Sequence, residues 1–316
     1  MRMIRTSQLG LAIGLILLSV FLLSGADAVV KAVSADFPLW QIYIARSLFA
    51  VPILLVLLVP DGIGRAPGML RPWTLLRSLL LTAMWVAYYA ALPNMDLSVA
   101  ATALYTTPLF IAALSAFLTG DRIGWRGMAA IAIGFLGVIV ILRPTGADFS
   151  AWMLLPILAA LFYALAAVVT RMRCADESAR VLALSLHGCL LAAGLAGALV
   201  ASLLPETLAN QFLFGPWAPM QGADWALMLG LGCAMVVVAI GVARAYQSAP
   251  PAIIGTFDYA YLLFAALWGV LAFGERLDAL AFLGMGLIIA AGILVLSGPR
   301  RAEPVAPERT ERTQGA

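Results

Sequence analysis

Apolar residues in this chain run in long unbroken stretches, unlike the alternation of a half-buried strand or the narrow stripe of a soluble helix. A helix that crosses a bilayer needs about 20 such residues. Ten stretches qualify: 9–33, 39–59, 73–92, 97–118, 124–142, 152–171, 181–204, 225–246, 251–273 and 279–297. The connections longer than a short turn, 60–72, 172–180 and 205–224, are too small to fold as soluble domains. The pattern predicts an all-α integral membrane protein of ten transmembrane helices.

Composition agrees. Of the 316 residues, 63% are hydrophobic and only 11% charged, and the mean hydropathy is +1.01. A soluble domain, at roughly 25% charged residues, could not hide this much apolar surface. The small positive balance, +3, lies in short loops and the tail, which argues against nucleic acid.

Placing the N-terminus inside puts fifteen basic residues on inner segments: Arg2, Arg5, Arg65, Arg71, Arg77, Arg122, Arg126, Arg171, Arg173, Arg180, Arg244, Arg300, Arg301, Arg309 and Arg312. Three, Lys31, Arg143 and Arg276, fall outside, and Arg46 lies within the second span. This asymmetry predicts ten spans with both termini cytoplasmic. Arg2 and Arg5 before Leu9–Leu23, followed by Ala26-Asp27-Ala28, also fit a cleaved leader, but the repeat described next needs that segment as a retained span. The tail 298–316 has no apolar periodicity and is expected to be disordered.

The chain repeats itself. Gly120-Asp121-Arg122 overlays Gly274-Glu275-Arg276 at a shift of 154 residues, which carries Phe110 onto Phe264. Each half, 9–142 and 152–297, holds five spans. An odd number inverts the second half in the membrane, so the expected fold is two inverted five-helix repeats around a central cavity.

Taken with Gly134 and Gly137, with Gly284, Gly286 and Gly292, and with Ala45-Arg46-Ser47 in the second span, these motifs resemble the drug/metabolite transporter superfamily, EamA type, across 9–298. The run Phe257-Asp258-Tyr259 with Phe273-Gly274-Glu275 is similar to a bacterial branch that includes riboflavin and S-adenosylmethionine importers. Asp121 stands where the family pattern usually has Glu. The resemblance implies a secondary transporter of the bacterial inner membrane, working by alternating access on a small organic metabolite, for which a flat heterocycle such as riboflavin or S-adenosylmethionine is the best fit. Export of amino acids or other metabolites is the alternative. A non-transporting scaffold or receptor is the alternative of another class.

A charge inside the bilayer is costly, so each one is a candidate for the site. Asp27 either pairs with Lys31 one turn on or lines the cavity. Arg46 either anchors helices, with Asp27 as its partner, or grips a substrate carboxylate. His187, the lone histidine, either packs or shuttles protons. Asp258 either pairs with Arg244 or carries a proton at the site. Tyr88, Tyr105, Phe257, Tyr259 and Tyr261 lie where rings could line a cavity and stack on a flat ligand, or simply pack.

An enzyme is not expected: one histidine and scattered acids make no catalytic set. Cys174, Cys189 and Cys233 have no metal spacing, so neither metal nor cofactor is predicted. Expected partners are a small-molecule substrate and membrane lipid, with no nucleic acid. A homodimer is compatible with this reading.

Overall fold

The computed structural model describes residues 6–107, 109–111, 113–114, 125–142, 150–174, 176–205, 211–248, 254 and 257–296. The tail 298–316, the Gly120–Arg122 motif, and Pro108, Pro250 and Pro251 lie outside the described residues. Within them the chain is all helix and connection. The helices are α1 (Thr6–Val33), α2 (Leu39–Leu58), α3 (Pro72–Ala91), α4 (Leu97–Leu104), α5 (Trp125–Leu142), α6 (Leu154–Arg173), α7 (Ala179–Leu203), α8 (Gly222–Ser248), α9 (Ala260–Phe273) and α10 (Ala279–Leu296). A single helical turn, Gln211–Phe214, precedes α8, and short 3-10 segments fill the α2–α3 connection.

Six of these, α1, α2, α3, α6, α7 and α8, contain stretches long and apolar enough to cross a membrane by length and composition. Helix satisfies every interior backbone group within the segment, as lipid demands. The bundle has the polarity of a membrane protein. Large apolar side chains such as Leu11, Val56, Leu199, Leu203 and Leu271 point outward and are exposed, while Asp27, Gln41, Arg46 and Ser47 are fully buried.

The principal helix pairings obey an exchange rule. The contacts α1–α8, α2–α8 and α1–α9 have counterparts in α6–α3, α7–α3 and α6–α4. The remaining principal pairs, α2–α7, α4–α9 and α5–α10, map onto themselves when each helix is swapped for the one five places on.

Close approach depends on small residues. A Cβ at Gly194 on α7 would lie 2.9 Å from the Trp40 carbonyl oxygen and 2.8 Å from Ile44 Cγ1 on α2. A Cβ at Gly10 meets nothing within 4 Å. Gly194→Val is therefore expected to push α7 off α2 and cost about 1–3 kcal/mol, whereas Gly10→Ala should be neutral. Thermal unfolding of both variants in lipid nanodiscs checks this, and equal midpoints would refute the contact.

Candidate functional site

The interrupted helices define the centre. Tyr105 and Thr106 form a turn at the end of α4, after which helix resumes at Thr107. Tyr259 is likewise a turn between the helical residues Phe257-Asp258 and α9. The 154-residue shift carries Tyr105 onto Tyr259, and the two rings meet edge to face at 5.6 Å. Near the α4 break, Thr102, Thr106 and Thr107 donate to the carbonyls of Ser98, Ala103 and Leu104 at 2.6, 2.7 and 2.7 Å. Such interruptions at membrane depth are tolerated where other groups satisfy the freed backbone.

Asp27 of α1 sits at the heart of the tyrosines. Tyr89 donates to Asp27 Oδ1 at 3.0 Å, and Tyr261 donates to Oδ2 in a short hydrogen bond. The Tyr88 hydroxyl shares a hydrogen bond of 2.9 Å with that of Tyr261. Tyr105 stacks on Tyr261, centroids 4.9 Å apart and planes within 12°. Trp85 packs against Tyr89 at 5.0 Å. A carboxylate from α1 is thus held by hydroxyls from α3 and α9, beneath a ring from α4.

Arg46 of α2 is fully buried beside this cluster. Its Nη1 donates to the Tyr89 hydroxyl at a long 3.4 Å. Its guanidinium carbon lies 4.8 Å from the Tyr43 ring centre and 5.5 Å from that of Tyr89. Tyr89 therefore stands between Arg46 and Asp27, and the ion pair expected from sequence is replaced by a tyrosine bridge. His187 on α7 is buried, with the Arg46 charge acting on it.

The other expected residues fall as follows. Tyr259 is buried against Tyr105. Asp258 accepts no hydrogen bond and forms no ion pair among the described residues, so the Arg244 pairing is absent; its charge acts on Tyr259 and on Tyr163 of α6. Phe257 is 36% exposed and stands apart from the stacked rings. The structure thus gathers Asp27, Arg46, Tyr88, Tyr105, Tyr259 and Tyr261, and leaves Phe257 and Asp258 at the edge. Tyr43, Ser47 and Tyr89 join the cluster without having been singled out. For Tyr43 and Ser47 the signal is spacing: 43, 46 and 47 stand at i, i+3 and i+4 on one face of a largely apolar helix.

One end of the bundle is closed by a clasp. Lys31 does not pair with Asp27; its Nζ lies 2.8 Å from Glu275 Oε1, donates to the Met95 carbonyl at 2.9 Å, and rests 4.6 Å from the Phe273 ring centre. Glu275 in turn accepts from the backbone N–H groups of Leu97 at 2.6 Å and Ser98 at 3.2 Å, and from the Ser98 hydroxyl at 2.9 Å. It caps the first turn of α4, which lacks a side-chain cap of its own. Gly274 ends α9 in the left-handed conformation, φ 64°. Glu275 N–H then bonds back to the Gly269 carbonyl at 3.0 Å, so the turn aims the carboxylate inward. Burial, and Glu275 beside it, push the neighbouring Asp96 carboxyl above its ordinary value. At the other end of the bundle Arg71 pairs with Glu177, and Arg77 Nη1 donates to the Leu182 carbonyl at 3.0 Å.

A helical bundle with a lipid-facing exterior and a buried polar, aromatic centre is a multi-pass membrane protein, and its relatives are carriers of small molecules. Residues 10–143 match the EamA-like transporter family. The chain is 26% identical over 289 residues to the pseudopaline exporter CntI of Pseudomonas aeruginosa, covering 91% of this chain and 96% of that protein. It is 29% identical to a riboflavin transporter of Rhizobium johnstonii, covering 85% and 83%. It is 23% identical to an S-adenosylmethionine uptake transporter of Rickettsia felis, covering 92% and 94%. A crystal structure 20% identical in sequence superposes with a TM-score of 0.60 over 92% of this chain and 96% of the other. The family match over residues 10–143 and the likeness to transporters along most of the chain support a transporter role.

Proposed function

We propose that the protein is a secondary transporter of the bacterial inner membrane, moving a small organic solute by alternating access through the Asp27 cluster. The observation that carries this is Asp27 itself, a fully buried acid inside an apolar helix, held by tyrosines from two other helices. A charge kept at that depth marks a solute or proton pathway. The reading uses ten spans arranged as two inverted repeats, 9–142 and 152–297, with both termini cytoplasmic. Supporting it are the exchange rule in the helix pairings and the matched breaks at Tyr105 and Tyr259. Broken helices meeting across a repeat axis are where transporters bind their cargo. The clasp at Lys31 and Glu275 closes the outer side, and Arg71 with Glu177 lies on the inner side. His187 belongs to the site through its place beside Arg46, and Phe257 and Asp258 lie at its edge. No enzymatic role is part of this reading.

The stack of Tyr105 on Tyr261 favours a flat heterocyclic solute, because such a ligand can take the place of one ring. Riboflavin and S-adenosylmethionine, named for two of the relatives, are of this kind; an exporter of amino acids or other metabolites is the second reading. In proteoliposomes we expect saturable flux of one of these compounds, whereas a scaffold would give none. Tyr105→Ala is expected to weaken solute binding by about 1–3 kcal/mol, roughly fivefold to 150-fold. Half-saturation of the flux measures it, and an unchanged value would move the stacking surface elsewhere.

A further inference from the structure

Arg46 keeps most of its hydrogen-bonding capacity unused. It is fully buried, its one hydrogen bond among the described residues is the long one from Nη1 to Tyr89, and Nε and Nη2 have no partner there. Neither ion pair formed among the described residues includes it. A guanidinium cannot shed its proton to escape the cost of burial. The helix that carries it is closely packed there by α8: a Cβ at Gly232 would lie 2.8 Å from the Arg46 carbonyl oxygen.

The free groups are not scattered. Nε–H and Nη2–H share one edge of the guanidinium, the edge that grips a carboxylate side-on through two parallel hydrogen bonds. Three more buried polar atoms lack partners in its neighbourhood: the hydroxyl of Tyr43, whose ring centre lies 4.8 Å from the guanidinium carbon, that of the adjacent Ser47, and Nδ1 of His187, on which the Arg46 charge acts. Tyr43, Arg46 and Ser47 share one face of α2, and α7, which carries His187, packs along that helix. Buried polar groups without partners are rare in folded proteins, and a group of them in one place calls for a ligand. Asp27, the nearest acid, is already taken up by Tyr89 and Tyr261.

We infer that the Nε–Nη2 edge of Arg46, with Tyr43, Ser47 and His187 around it, is an anion subsite that takes the carboxylate of the transported solute. This rests on the transporter reading and narrows it. The solute carries a carboxylate, gripped at α2 and α7, on the opposite side of Tyr89 from Asp27. A neutral flavin lacks that group, whereas an amino-acid-bearing nucleoside has it. In the structure the subsite is closed over, since the free nitrogens have no accessible surface. The solute reaches it when the bundle opens.

The test uses the full-length protein in lipid nanodiscs and three probes: sodium acetate, sodium chloride at equal concentration, and acetamide added to the chloride arm. Acetate should raise the unfolding midpoint saturably, and chloride and acetamide should not. Arg46→Gln should abolish the acetate shift. Arg46→Lys keeps the charge without the two-pronged edge, and it should lose most of the shift. Should Arg46→Gln fail to fold, the wild-type comparison and Arg46→Lys still decide. No acetate shift, an equal chloride shift, or a shift that survives in Arg46→Lys would each overturn the subsite; the equal chloride shift would make it a site for inorganic anions. Solute flux, measured separately on the wild-type protein, tells the two readings apart. Saturable flux without an acetate shift removes the subsite and leaves the transporter, while an acetate shift without flux does the reverse.

Discussion

Asp27→Asn is expected to lower solute flux by about 10–100-fold while the protein still folds, because the loss of a charge-assisted hydrogen bond is worth roughly 1.5–3 kcal/mol. The carboxylate accepts from Tyr89 on one oxygen and from Tyr261 on the other. The asparagine amide keeps one acceptor and turns a donor toward the second hydroxyl. That hydroxyl can rotate and accept, so shape survives. What goes is the negative charge that faces Arg46 through Tyr89. Asp258→Asn supplies the comparison. Asp258 has no hydrogen-bond partner among the described residues, so its substitution should reduce flux less. Initial rates in proteoliposomes, normalised to folded protein, give the ranking. Flux within twofold of wild type for Asp27→Asn, or a deeper loss for Asp258→Asn, would move the essential acid off α1.

That ranking reverses the one the sequence suggests, and the reason is physical. Along the chain Asp258 lies within an expected span with no basic residue near it in sequence, flanked by two aromatics, and so looks like the lone carrier. Asp27 has Lys31 one turn away and looks satisfied. In three dimensions Lys31 turns to Glu275, 244 positions along the chain, and the hydroxyls that hold Asp27 come from residues 62 and 234 positions away. No local spacing carries such information. Helices apolar on all sides have weak amphipathic signals, so sequence alone does not say which face meets which neighbour. What local pattern does specify, it specified well. Expected spans at 39–59, 73–92 and 181–204 appear as the helices Leu39–Leu58, Pro72–Ala91 and Ala179–Leu203, because a run of apolar residues bounded by charge or proline has one good solution in lipid. The expected span at 97–118 is interrupted within its described part: α4 ends at Leu104, helix resumes at Thr107, and Tyr105 at the break stacks on Tyr261. Glu275 was visible only as part of a repeated motif. Its work, capping a helix in the other half of the chain, depends on packing.

Glu275→Ala is expected to be the most destabilising single substitution in the clasp, by about 3–5 kcal/mol. The side chains of the pair are 13% and 3% exposed for Lys31 and Glu275, so removing the acid strands a buried ammonium. The same deletion takes the acceptor from two backbone N–H groups at the start of α4, Leu97 and Ser98, and from the Ser98 hydroxyl. Lys31→Met is the instructive partner. It removes one of the donors to Glu275 but leaves the helix cap in place, and a methionine fills the space against Phe273. Its cost should be clearly smaller. The double variant should recover part of the Glu275→Ala loss, since no buried ammonium remains to be stranded, but the uncapped α4 should keep it below wild type. Unfolding midpoints of the two single variants and the double variant in nanodiscs form a complete cycle. If Lys31→Met proves as damaging as Glu275→Ala, the ion pair and not the cap holds α4 in place. If both prove harmless, the clasp contributes nothing to the closed bundle.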